Sequence, residues 1–148
     1  MSDQPRQTDP DPPCPCGSGR PLAACCGPVI AGEAAAATAE ALMRSRYSAY
    51  VLGDADHLRA SWHPTSRPER IELDDQTRWL GLKVLSSTGG GARDRDGTVE
   101  FVARYKIGGR AYRLHEISRF LREGGRWTYV GGEAGESDSR VKAAGKRR

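Results

Sequence analysis

Val99-Glu100-Phe101-Val102-Ala103-Arg104-Tyr105-Lys106-Ile107-Gly108-Gly109-Arg110-Ala111-Tyr112-Arg113-Leu114-His115-Glu116-Ile117-Ser118-Arg119-Phe120-Leu121-Arg122-Glu123-Gly124-Gly125-Arg126-Trp127-Thr128-Tyr129-Val130 decides the fold. Val99, Phe101, Ala103 and Tyr105 recur at every second position, the period of a strand with one buried face. Gly108-Gly109 turns the chain into a second run from Arg110 to Leu121, and Gly124-Gly125 turns it again into Trp127 to Val130. Three strands joined by two tight turns predict an antiparallel meander. Just upstream, Leu80, Leu82 and Val84 alternate as another strand, and Gly89-Gly90-Gly91 reads as a flexible hairpin connection.

Ahead of Glu69 the apolar period is helical. Thr38 is a good N-cap, Glu40 lies in the first turn where the helix dipole favours a carboxylate, and Gly53 can close the other end. Between them Ala39, Met43, Tyr47, Tyr50 and Val51 recur at three- and four-residue spacing, which predicts one amphipathic helix laid against a core. Asp54 or Asp56 is expected to cap a second, short helix running through Trp62, with Pro64 ending it. Helices first and an antiparallel sheet afterwards define an α+β fold.

The whole chain is 148 residues, 37% hydrophobic and 28% charged, which is enough for one compact core and excludes a two-domain enzyme with separate cofactor and substrate halves. No apolar run is long enough to cross a bilayer, so a soluble protein without membrane contact is expected. The N-terminal stretch lacks the basic head and apolar middle of a secretory signal, so the expected location is the cytoplasm, with the cysteines reduced. The net charge of +4 is dispersed. Residues 1–37 are net acidic, 38–132 are net basic with interleaved signs such as Asp94-Arg95-Asp96, and 133–148 are basic. That pattern is a mixed solvated surface and not a phosphate-tracking stripe. Residues 1–13 and 133–148 are expected to be disordered tails, the second of them basic.

All four cysteines fall in Cys14-Pro15-Cys16-Gly17-Ser18-Gly19-Arg20-Pro21-Leu22-Ala23-Ala24-Cys25-Cys26-Gly27. Two closely spaced pairs separated by a short loop can supply the four corners of a tetrahedral thiolate site. Gly17 and Gly19 permit a tight backbone that aims amide N–H groups at the sulfurs, and Pro21 to Cys26 is expected to form a short helical turn ended by Gly27 and Pro28. A disulfide is the weaker alternative, because the compartment is reducing and a bridge between adjacent Cys25 and Cys26 is strained. Zinc ranks ahead of iron, which a closed four-sulfur site also accepts. No fifth polar group lies nearby to leave an open coordination position, so the metal is expected to be structural.

The Cys-Pro-Cys-Gly-Ser-Gly and Cys-Cys-Gly segments of residues 14–27 resemble the SEC-C motif, the zinc knuckle that also ends the bacterial translocation ATPase SecA. Together with Thr38 to Tyr50, Ser61-Trp62-His63-Pro64 and Leu114-His115-Glu116-Ile117-Ser118-Arg119-Phe120, the chain resembles the bacterial YchJ family over about residues 14–132. That resemblance implies a knuckle at 14–27, a linker at 28–37 and, over 38–132, a cone-shaped domain like nuclear transport factor 2, in which a curved sheet wraps the long helix. It carries over the ligands as Cys14, Cys16, Cys25 and Cys26. Knuckles of this kind that dock a chaperone are Lys-rich between the cysteine pairs, whereas this loop holds only Arg20, followed by Pro21, Leu22, Ala23 and Ala24.

A cone with an open end offers a pocket, for which Tyr105, Glu116 and Ser118 are the candidates. Glu116 among apolar neighbours is a possible general base beside the Tyr105 phenol; the competing expectation is an internal bridge from Glu116 to Arg44 or Arg46. His57, His63 and His115 form no spaced set with carboxylates and are expected to be partly buried polar residues, and Trp62, Trp79 and Trp127 to be core. No dinucleotide-binding turn or phosphate loop is present. The leading functional expectation is a protein-interaction module whose knuckle docks a partner, with protein-export, chaperone or ribosome contacts as the candidates. A small-molecule-binding or enzymatic cone follows, no catalytic residue is assigned, and a homodimer is compatible with either. Nucleic acid ranks last, because no aromatic residue lies between Cys14 and Cys26 to stack a base.

Overall fold

A computed structural model describes residues 12–134. The tails expected over 1–13 and 133–148 lie outside the described residues except at their inner ends. Those ends are part of the fold: Pro13 bridges to Pro21, and Glu133 and Ala134 pair with Ile117 and Glu116 in the last strand. The sheet therefore runs past the expected boundary at 132.

The chain begins with the cysteine loop, a short 3-10 turn over Leu22–Ala24 and helix α1, Gly27–Ile30. Pro28 was expected to close a helical turn, but it sits at the second position of α1 instead, where the N–H that proline lacks would have no partner within the helix anyway. Helix α2, Ala39–Leu52, is capped as its sequence requires. The Thr38 hydroxyl accepts from the Ala41 N–H, and Gly53 closes the end in the left-handed region at φ 76°. Helix α3, Ala55–Ala60, is capped by Asp54, whose carboxylate accepts from His57 N–H. It stops before Trp62 rather than at Pro64, because Trp62 leaves the helix to bridge in parallel to Tyr129.

Strands β1 (Thr77–Gly89), β2 (Asp96–Ile107), β3 (Arg110–Glu123) and β4 (Arg126–Ala134) form one antiparallel meander in chain order. Helix α2 lies across its inner face. Ala39, Met43 and Tyr47 meet Val99, Phe101, Ala103, Phe120 and Trp127 in a single core, and Trp79, Leu82 and Val84 close it from the edge strand. The alternation expected for Leu80, Leu82 and Val84 breaks at Leu80. Register shifts between Trp79 and Gly81 and between Val84 and Ser86 leave Leu80 and Leu85 as extra residues, 52% and 45% exposed. Val51 is likewise exposed, at 38%, while Tyr50 beside it in the last turn of α2 meets the Trp79 ring of β1 at a centroid distance of 5.7 Å.

Candidate metal centre

The backbone of the cysteine loop closes on itself before any side chain is considered. Cys14 N–H donates to the Arg20 carbonyl and Leu22 N–H to that of Pro12, so the two cysteine pairs are drawn face to face. Gly17 and Gly19 take φ of 80° and 89°, a region that a side chain disfavours, and this reverses the chain between them. The four Sγ atoms lie within 4.8 Å of one another, and Cys16 Sγ is 3.7 Å from Cys25 Sγ. A tetrahedral ion with metal–sulfur bonds of about 2.3 Å requires sulfurs about 3.8 Å apart. The donor set and its spacing therefore fit a metal ion, and all four cysteines are free of disulfides.

The groups around the sulfurs are side chains. Ser18 Oγ lies 3.1 Å and Arg20 Nη2 3.7 Å from Cys25 Sγ, and Ser48 Oγ of α2 lies 3.5 Å from Cys14 Sγ. The loop amide expected to aim at sulfur does not: Gly17 N–H donates to the Cys14 carbonyl. Arg44 ties the loop down by donating to the Cys16 carbonyl at 2.9 Å, while Glu40 holds its Nε at 2.9 Å. Cys14, Cys16 and Cys26 are buried in the same cluster as Leu42 and Met43, so the knuckle is built onto α2. A hydrogen bond from Cys26 holds the Cys16 thiol down at about 4, and that shared proton in turn pushes Cys26 up. Burial pushes Cys25 up. The chain alone thus favours a thiolate at Cys16 beside protonated Cys25 and Cys26, and a divalent ion bound by thiolates would take the place of such protons.

A second polar cluster lies further round α2. Ser118 Oγ donates to Glu116 Oε2 at 2.7 Å and the Tyr129 hydroxyl donates to the same oxygen at 3.2 Å. Gly132 lies so close under this carboxylate that a side chain there would collide with it. Glu116 and Ser118 are thereby brought together as the sequence suggested. Tyr105 is not with them. It pairs with Tyr112 in the sheet, four residues along β3 from Glu116 and so roughly 13 Å away, and it packs between Tyr112 and Trp79 at centroid distances of 5.3 and 5.1 Å. The phenol that serves Glu116 is Tyr129.

Neither expected arginine hydrogen-bonds Glu116 in the described contacts. Arg44 serves the knuckle. Buried Arg46 donates to the Leu58 carbonyl at 2.8 Å and to Ser61 Oγ at 2.7 Å, with its guanidinium 4.2 Å from the Tyr129 ring centroid and 4.9 Å from that of Trp62. Its charge reaches Glu116 through space, across Tyr129. Nearby, Ser45 Oγ bonds His57 Nε2 at 2.9 Å, and burial lowers the His57 pKa to about 4, keeping the ring neutral. His63 and His115 pair with Glu123 and Glu100 at 2.9 and 2.7 Å. A groove of about 350 Å³ beside the knuckle and one of about 470 Å³ on the outer sheet are lined without Glu116. Tyr129 and Ser48 were missed in the sequence because each acts across elements, where periodicity carries no information.

A helix wrapped by an antiparallel meander, with four cysteines converging at its entrance, defines an NTF2-like domain bearing a SEC-C motif. Comparison with known proteins agrees: residues 38–132 match the family model described as "YchJ, middle NTF2-like domain" and residues 13–28 match the SEC-C motif. The chain belongs to the YchJ-like family. A UPF0225 protein of Chromobacterium violaceum is 58% identical over 123 residues, spanning 80% of this chain and 90% of its own length. One from Streptomyces coelicolor is 52% identical, spanning 84% of this chain and 97% of its own. The solution structure of a SEC-C motif protein from Rhodopseudomonas palustris superposes with a TM-score of 0.74 at 41% identity, covering 83% of this chain and 98% of that one. A crystal structure of a SEC-C motif protein from Psychrobacter arcticus gives 0.67 at 27% identity, covering 85% and 84%. Among the described residues, no helix is long and apolar enough to cross a membrane.

Proposed function

We propose that the protein is a zinc-stapled interaction module of the cytoplasm: Cys14, Cys16, Cys25 and Cys26 hold one Zn²⁺, and the exposed rim of the knuckle docks a protein partner. The observation that carries this reading is the convergence of four sulfurs within 4.8 Å. Four thiolates complete a tetrahedral shell, so the ion has no open position for water or substrate and acts by fixing shape. Ser18, Arg20, Pro21, Ala23 and Ala24 are exposed around it, a small rim with one cation. Iron is the competing occupant, and metal analysis separates the two.

The docking half is tested in the intact, metal-loaded chain by mapping cross-linked partners of the native protein against Ala23→Glu, at an exposed rim position. Partners that contact the knuckle are lost from the variant while its metal content stays at the wild-type level. An unchanged partner set with unchanged metal would leave the knuckle as a staple alone and remove the docking role.

A further inference from the structure

We infer that Cys25 is a modification site, the cysteine of the knuckle open to hydrogen peroxide, and that Cys16 captures its oxidation product as a disulfide that opens the metal centre. The inference rests on the four-cysteine site proposed above and goes beyond it, since a closed structural centre has no reaction of its own.

The four cysteines differ in access. Cys14, Cys16 and Cys26 are 5%, 0% and 3% exposed and belong to the core cluster of Leu42 and Met43, whereas Cys25 is only half-buried. A groove of about 350 Å³ separates the knuckle from the first turns of α2, with Cys25 and Cys26 in one wall and Ala41 and Arg44 in the other. Of the two cysteines in its wall, Cys25 is the exposed one, and the space admits a molecule of a few heavy atoms together with water.

The groups around Cys25 suit reaction with a peroxide. Ser18 Oγ lies 3.1 Å from its sulfur and accepts from the Arg20 N–H at 3.2 Å, so the Ser18 proton is left to donate to Sγ. Arg20 Nη2 lies 3.7 Å from the same sulfur, on an exposed side chain that lines the groove. A guanidinium there favours an exposed thiolate and receives the negative charge that develops on the departing oxygen. Cys16 Sγ stands 3.7 Å from Cys25 Sγ, so the pair has to close by about 1.7 Å to reach the length of a disulfide. Gly17 and Gly19, next along the chain from Cys16, are where the backbone yields most easily. Adjacent Cys26 is the poorer partner, because a bridge between neighbouring cysteines is strained.

In the first step the Cys25 thiolate attacks one oxygen of hydrogen peroxide. An S–O bond forms as the O–O bond breaks, the sulfur is oxidised to a sulfenic acid and the second oxygen leaves as hydroxide. The Cys16 thiolate then attacks Cys25 Sγ, forming the S–S bond as the S–O bond breaks and a second hydroxide leaves. The two sulfurs together give up two electrons to the peroxide, and both hydroxides take protons from solvent to become water. Cys14 and Cys26 remain, two donors where four hold the ion, so the metal is released.

The test exposes the full reduced chain, its zinc content already measured, to hydrogen peroxide. Zinc release is followed with a chromogenic chelator, and the bridged cysteines are identified by differential alkylation and peptide mass spectrometry. About one zinc is expected to leave per peroxide consumed, with Cys16 and Cys25 as the dominant pair. Limiting N-ethylmaleimide in place of peroxide is expected to label Cys25 first. Arg20→Gln, with parental circular dichroism and zinc content, is expected to form the bridge about fivefold more slowly. Labelling order and bridge are read in the parent, so they decide the inference even where this variant fails to fold. A different bridge, first labelling at another cysteine, four intact thiols in excess peroxide, or a folded Arg20→Gln reacting at the parental rate overturns the inference. A parent purified without zinc counts against the metal reading instead, and its labelled thiols still show whether Cys25 and Cys16 react as inferred.

Discussion

Helix α2 has a polar cluster on each of two faces, and the two differ in what completes them. Around Ser48 and Arg44, four sulfurs converge and the hydroxyl and guanidinium groups beside them are too few to replace an ion. Around Arg46 and Ser45, the donors other than the buried Trp62 indole N–H have protein acceptors: Arg46 on Leu58 and Ser61, Ser118 and Tyr129 on Glu116, Ser45 on the Leu42 carbonyl. The first cluster could hold an ion from outside the chain, whereas the carboxylate of the second is already served by the chain's own hydroxyls. A buried polar group that is already satisfied rigidifies the fold, whereas a converging set of unshared ligands marks where an ion belongs.

The difference can be broken most forcefully at the knuckle. Structural zinc sites of this type contribute on the order of 10 kcal/mol, so chelation under reducing conditions is expected to lower the calorimetric melting temperature by at least about 10 °C. Protection of α2 amides against hydrogen exchange should fall with it, because Cys14 and Cys16 are packed on that helix. An unchanged melting curve would make the sulfur cluster as self-sufficient as the oxygen one.

Next in size is Arg46→Ala. It leaves the Leu58 carbonyl and the Ser61 hydroxyl without their guanidinium partner and opens space between Trp62 and Tyr129. A loss of about 3 kcal/mol or more in urea unfolding is expected, with metal stoichiometry unaltered. Metal loss in this variant would show that the two clusters are coupled through the helix.

His57 gives a smaller, pH-dependent effect. Its folded pKa, about 4, lies below the ordinary value of 6.5, so the unfolded chain takes up the proton first. Stability from this group is therefore full above pH 6.5 and is lost as the pH falls toward 4, by up to about 3 kcal/mol. Acid also strips metal from thiolates, so the readout is the difference between the parent and His57→Gln: the variant should lose less stability between pH 7 and pH 5. Parallel curves would contradict the buried neutral ring.

Glu116→Gln is expected to have the least effect, about 1 kcal/mol, because an amide oxygen still accepts from Ser118 and Tyr129. A far larger loss in thermal or urea unfolding would mean that the negative charge is required against Arg46.

Much of this was legible in the sequence because the information was local. Thr38 and Gly53 mark the ends of α2, Gly108-Gly109 and Gly124-Gly125 mark the turns, and the Cys-x-Cys and Cys-Cys pairs mark the converging sulfurs, each within a few residues. What escaped depends on register and on contacts between elements. The alternation through Leu80 looked regular because a bulge adds a residue without altering composition. The association of Tyr105 with Glu116 failed because a shared face says nothing of distance along a strand. Tyr129 reaches Glu116 only through the β3–β4 pairing, which no spacing encodes. Pro28 shows the converse case, since the same residue can stop one helix or start the next, and α1 settles which.

The central claim is that Cys14, Cys16, Cys25 and Cys26 bind one zinc ion between them. Elemental analysis of the reduced, purified chain by inductively coupled plasma mass spectrometry, paired with native mass spectrometry, tests it directly. One zinc per chain is expected for the parent, with occupancy falling well below one for Cys25→Ser. A parent free of metal, or a Cys25→Ser variant that retains a full equivalent, would contradict it.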